Sequence, residues 1–175
     1  MTEGEVGEGE VDEYEVDEGE EPEAALARYA DELAAGVDAS IARWVVRSVE
    51  TRMQQWSGAV PDDVRALAEA AGERARVTVG AEVRELLALD IDAQRDAPLS
   101  VLRRAVVHPT RVLEAAGVPH VVRDDIDAAM FPDDVYALAP ATFADLDPSL
   151  HEAGLAWGAA KAFVHLARRR SEGRR

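Results

Sequence analysis

The sequence contains no cysteine. That absence excludes a disulfide scaffold, a thiolate zinc site, an iron–sulfur cluster and a cysteine nucleophile. Lysine is nearly missing too: Lys161 stands alone against eighteen arginines, a bias that suits a high-GC genome and says nothing of function. No run of about 18 apolar residues occurs, so no membrane span is expected. A basic segment followed by an apolar one is lacking at the N-terminus, so no secretory signal is expected and a cytoplasmic location is read. The glycine-rich patterns that cradle phosphates are absent, and so is the Gly-x-Ser-x-Gly turn that presents a hydrolase serine. No cofactor is expected.

What is present suits a folded body with an acidic appendage. The chain has 175 residues, 47% of them hydrophobic and 31% charged. A chain of about 150 residues buries roughly 70% of its unfolded surface, enough for a sizeable core. The formal net charge of −16 is unevenly placed. Residues 1–23 hold twelve acids and no base, whereas residues 24–175 carry a net of only −4. Three copies of a five-residue unit make up much of the first stretch: Glu5-Val-Gly-Glu-Gly9, Glu10-Val-Asp-Glu-Tyr14 and Glu15-Val-Asp-Glu-Gly19. So little apolar surface does not offset an ordering entropy of about 1–2 kcal/mol per residue, and like charges repel along the segment. The sequence therefore divides into a disordered acidic tail (1–22), a single helical domain (23–170) and a basic C-terminal end (171–175).

The tail reads as a solubilising bristle or as an interaction arm. In the second case Val6, Val11, Tyr14 and Val16 supply apolar anchors among carboxylates, and a partner with a basic surface supplies the counter-charge. The basic C-terminus, with Arg168, Arg169, Arg170, Arg174 and Arg175, is an alternative counter-charge in cis. Screening over about 8 Å at physiological salt makes such a contact salt-sensitive.

The body reads as all-α, an irregular bundle of five or six helices. Leu26, Tyr29, Ala30 and Leu33 fall on one side of a helix over 23–35, and Gly36 is expected to stop it. Asp38 or Ser40 then caps a second helix carrying Ile41, Val45, Val49, Met53 and Trp56 at i, i+4, i+8 spacing. Pro61 followed by Asp62 and Asp63 favours a third helix over about 62–90. Val77-Thr78-Val79-Gly80 is its weak point, but the flanks keep the helical period. Pro98 opens a fourth helix that His108-Pro109 interrupts, and Thr110 to Ala116 continues until Gly117. Residues 119–148 are rich in Pro and Asp. One short helix is expected there, at about 124–130, within ordered loop whose apolar residues pack on the helices. A last helix starts near Ser149, with Ser149 and Glu152 as a capping box.

Few residues carry a chemical signal. None of the histidine pairs has the three- or four-residue spacing of helical zinc ligands. A His/carboxylate metal site built from residues 120–152, with His120, Asp124 and His151, is conceivable, against the plainer reading of these acids as caps and solvated turns. On the last helix His151, Gly154, Gly158, Lys161 and His165 share a face of roughly 80° at 100° per residue. Glycines four apart open a groove there, and cationic groups at its ends suit an anion; the plainer reading is tight helix packing. Nucleic acid is not an expected partner, because the body lacks a basic face apart from the C-terminal arginines.

Three blocks, Phe131-Pro-Asp-Asp-Val-Tyr136, Ala144-Asp-Leu-Asp-Pro148 and Trp157-Gly-Ala-Ala-Lys161, resemble a family of small helical proteins of high-GC actinobacteria to which no activity is attached. The resemblance spans residues 24–170 and leaves out the repeat tail. Independently of that resemblance, a non-enzymatic regulatory or protein–protein interaction role is expected, through the acidic arm and the 119–161 surface. Two alternatives stand beside it. One is a helical enzyme or ligand-binding domain using His120, Asp124, His151 and His165. The other is a nucleic-acid-associated regulator acting through the arginine-rich C-terminus.

Overall fold

The computed structural model describes residues 21–88 and 98–172. Residues 1–20 of the expected disordered tail, with Val6, Val11, Tyr14 and Val16, lie outside these residues, whereas Pro22, placed in the tail by the sequence, opens the first helix. All regular structure among the described residues is helical. The elements are α1 (Pro22–Ser57), α2 (Asp62–Ala88), α3 (Pro98–Arg104), α4 (Val107–Ala115), α5 (Asp125–Met130) and α6 (Phe143–Leu146). A 3-10 turn over Pro148–Leu150 then leads into α7 (His151–Glu172).

Helix α1 is the spine. It is continuous over 36 residues, about 54 Å at 1.5 Å per residue. The two helices expected on either side of Gly36 are therefore one. A mid-helix glycine costs about 1 kcal/mol relative to alanine, but here the missing side chain makes room: a Cβ at Gly36 would collide with the side chain of Leu150. Asp38 and Ser40 are likewise not caps. Asp38 pairs with Arg76 at 3.5 Å and Arg84 at 3.6 Å on α2, and Ser40 donates to Asp147 at 3.3 Å. The true end of α1 is Gly58, in the left-handed region at φ 76°, whose N–H closes the last turn on the Gln54 carbonyl at 3.0 Å.

Helix α2 returns antiparallel along α1, the two joined by a short connection, and the pair forms the main helix interface. Small residues set its closeness. A Cβ at Gly72 would stand 2.7 Å from the Ala42 carbonyl oxygen, and one at Gly80 would stand 3.0 Å from an Asp38 carboxylate oxygen. Ala68, Ala71 and Ala75 are buried on the same side. The Val77–Gly80 stretch stays helical because Val79 and Gly80 are buried on this interface. Val37, Ile41, Val45 and Val49 of α1, Val83 of α2, Leu102 of α3 and Leu113 of α4 are all fully buried in the common core.

The interruption expected at His108-Pro109 falls slightly earlier, at Ala105 and Val106, between α3 and α4. Pro109 then sits in the first turn of α4, where its missing N–H is harmless. Thr110 N–H reaches the Val106 carbonyl at 3.1 Å, and Gly117, at φ 75°, follows the helix end as expected.

From Tyr136 onward the chain runs back along α1. Arg52 donates to the Tyr136 carbonyl at 2.7 Å, Arg47 to that of Leu146 at 2.8 Å, and Arg43 to the Asp147 carboxylate at 3.2 Å. Gly36 then meets Leu150, and at the far end Arg168 donates to Glu23 at 3.0 Å. The expected Ser149–Glu152 capping box is replaced by Asp147, which accepts from both the N–H (3.0 Å) and the hydroxyl (2.7 Å) of Ser149.

Candidate functional site

Residues 118–139 leave the bundle and return to it, and their two ends are firmly held. At the first, the fully buried Tyr136 donates its hydroxyl to the Val118 carbonyl at 2.6 Å. Burial, with Glu114 nearby, pushes the Tyr136 phenol up from its ordinary value. At the second, the buried Asp134 carboxylate accepts from the N–H groups of Leu138 (2.7 Å) and Ala139 (2.9 Å). That turn holds Ala137 at φ 53°, the one non-glycine residue with positive φ among the described residues.

Between these anchors lies α5, present where the sequence places it. Asp124 caps it by accepting the Asp127 N–H at 2.8 Å, and Arg123 donates to the Phe131 carbonyl at 2.7 Å. Its apolar residues do not behave as expected. No residue of α5 is buried. Ile126 is 72% exposed, Met130 is 63% exposed, and Val122 just before the helix is fully exposed. The expectation that the apolar residues of this segment pack onto the helices holds for Tyr136, Phe143 and Leu146 but fails for these three. Periodicity and capping define a helix; they do not say whether a partner face within the chain exists for it.

Beside α5 lies a cleft of about 540 Å³, walled by α3 and α4 on one side and the 130–139 segment on the other. Val106, Val107, Met130 and Phe131 give it apolar walls. Arg103 stands over the Phe131 ring, 5.0 Å from its centroid, and donates to the Pro140 carbonyl. Arg104 is engaged with Glu82 at 2.9 Å. Thr110 lines the cleft as well; its hydroxyl is buried and lacks a hydrogen-bond partner among the described residues. Exposed Asp124, Asp125, Asp127 and Asp133 ring the apolar residues of α5 with negative charge.

The sequence-predicted residues are placed elsewhere. His120, Asp124 and His151 are not brought together, and among the described residues no three His, Asp or Glu side chains converge as a metal site requires. His120 lies against Glu114 at 3.3 Å and stacks edge-on to Tyr136 at 5.3 Å, Asp124 caps α5, and His151 is exposed at the start of α7. On α7, His151, Gly154, Gly158, Lys161 and His165 do share a helix, but the glycines are unalike. The Phe143 ring fills the space at Gly154, where a Cβ would stand 3.1 Å from it, whereas Gly158 faces open space. Lys161 lies over the Trp157 ring at 5.0 Å. Arg168 ties the end of α7 to Glu23 at the start of α1, and Arg169 and Arg170 are exposed.

No protein-family model matches the chain, and no significant similarity to a curated protein or to a solved structure is found.

Proposed function

We propose that this is a non-enzymatic interaction protein whose recognition surface is built on the 119–139 segment: Val122, Ile126 and Met130 as anchors, with the neighbouring cleft as a socket. One observation carries the reading. A helix held by its own cap and by anchors at both ends contributes nothing to the core, yet presents large apolar side chains outward. Exposed apolar patches rimmed by polar groups mark interaction surfaces. The rim here is acidic, which favours a partner with apolar sockets bordered by basic groups. The acidic arm adds charge of the same sign and strengthens long-range attraction to such a partner.

The test compares two full-length baits in extract of the native cell: the wild type and a variant carrying V122S, I126S and M130S. The reading expects a discrete partner on the wild type that the variant loses at equal loading. A partner retained by both baits, or captured by neither, would contradict it.

A further inference from the structure

A second groove, of about 510 Å³, lies between α2 and α4 on the other side of Arg111. It is edged by Arg74 from α2 and by His108 and Arg111 from α4, with Ala70 and Val77 as apolar floor and Thr78 beside them. Its charge is unbalanced. Arg74 and Arg111 are exposed, and neither side chain forms an ion pair or hydrogen bond among the described residues. The one carboxylate on the groove, Glu73, is already held by Arg76 at 2.6 and 2.9 Å. Two guanidinium groups thus flank a half-buried imidazole with no acid left over, in a chain whose other charges are mostly negative.

We infer that this groove binds an oxyanion of the phosphate class, either free phosphate or the phosphoryl group of a small molecule whose apolar part rests on Ala70 and Val77. Guanidinium forks match phosphate oxygens in pairs. Two of them, one from each helix, suit an anion with three or four acceptor oxygens. His108 supplies a further donor. Its pKa lies below the ordinary histidine value, first because of burial and then because of Arg74 and Arg111. A bound anion opposes the second effect. Binding therefore raises the His108 pKa from that lowered position. Arg74, Arg111 and the Arg76-bound Glu73 are the charged groups facing His108 from the two helices of the groove.

The experiment follows the His108 ring resonances of the full-length protein by NMR during titration with inorganic phosphate and, separately, phenyl phosphate, at constant ionic strength. A saturable shift is expected, with the His108 pKa raised at saturation and affinity reduced at least tenfold in both R74Q and R111Q. Tighter binding of phenyl phosphate assigns the groove to a phosphomonoester; equal binding assigns it to free phosphate. A linear, non-saturating response, or a response that survives R74Q and R111Q unchanged, would overturn the inference. Circular dichroism of the variants checks their fold; both side chains are exposed, so unchanged helicity is expected.

Discussion

Tyr136 and Val118 are joined by a 2.6 Å hydrogen bond between a fully buried phenol and a main-chain carbonyl. This bond fixes the returning end of the exposed segment to the exit of α4. Replacement Y136F keeps the ring in the core and removes the donor to the Val118 carbonyl. The expected loss is about 1–3 kcal/mol, the usual consequence of stranding a buried polar group. Urea unfolding of the two proteins measures it; a change below about 0.5 kcal/mol would mean that the bond contributes little.

Two glycines respond in opposite ways to the same substitution. G72A forces a methyl group against the Ala42 carbonyl, so α1 and α2 must separate, at a cost of about 1–3 kcal/mol. G158A meets open space on an exposed face of α7. There alanine's greater helix propensity stabilises by up to about 1 kcal/mol. Thermal unfolding of both variants gives the two signs directly.

Asp147 gives the fold a dependence on acid. The hydroxyl and N–H of Ser149, then Arg43 and Ser40, hold its carboxyl far below the usual carboxylate range. A depressed folded-state pKa contributes stability that is complete above the unfolded value of about 3.9 and is lost as pH falls from there toward the folded one. D147N removes that carboxylate. The variant is expected to be less stable than the wild type at pH 7, with the difference shrinking as the pH drops below 4. A gap that stays constant between pH 7 and pH 2.5 would show that Asp147 does not titrate in this way.

Much of this architecture is legible from residue order, and the exceptions share a cause. The period of α2, the acids in its first turn and the Asp124 cap of α5 are local signals, and each element lies where they place it. Gly36 misleads because its partner, Leu150, is far away in the chain; locally a helix stop and a packing notch look alike. Asp38 and Ser40 mislead for the same reason, since each is held by a distant residue, Arg76 or Asp147, inside a helix and not at its start. The groove between α2 and α4 is illegible in the sequence for a stronger reason. Arg74 and Arg111 are ordinary surface arginines on their own helices, and only the packing of α4 against α2 sets them beside one imidazole. The glycines four apart on α7 point instead to a face where the space at Gly154 is filled by Phe143.

The exposed apolar residues of α5 predict an unusual separation of stability from binding. Because no residue of the helix is buried and Val122 before it is fully exposed, the combined V122S, I126S and M130S variant is expected to unfold within about 0.5 kcal/mol per substitution of the wild type, the ordinary range for surface changes. Calorimetry measures this. A loss of several kcal/mol would show that the three side chains belong to a core after all.

The central claim is that the outward face of α5 is where a partner sits, and site-specific photo-cross-linking in the native cell tests it most directly. A photoreactive residue at position 126, in place of Ile126, is predicted to give one discrete protein adduct, while the same residue at exposed Glu69 on α2 gives none. Adducts of equal yield at both positions, or none at position 126, would contradict the account.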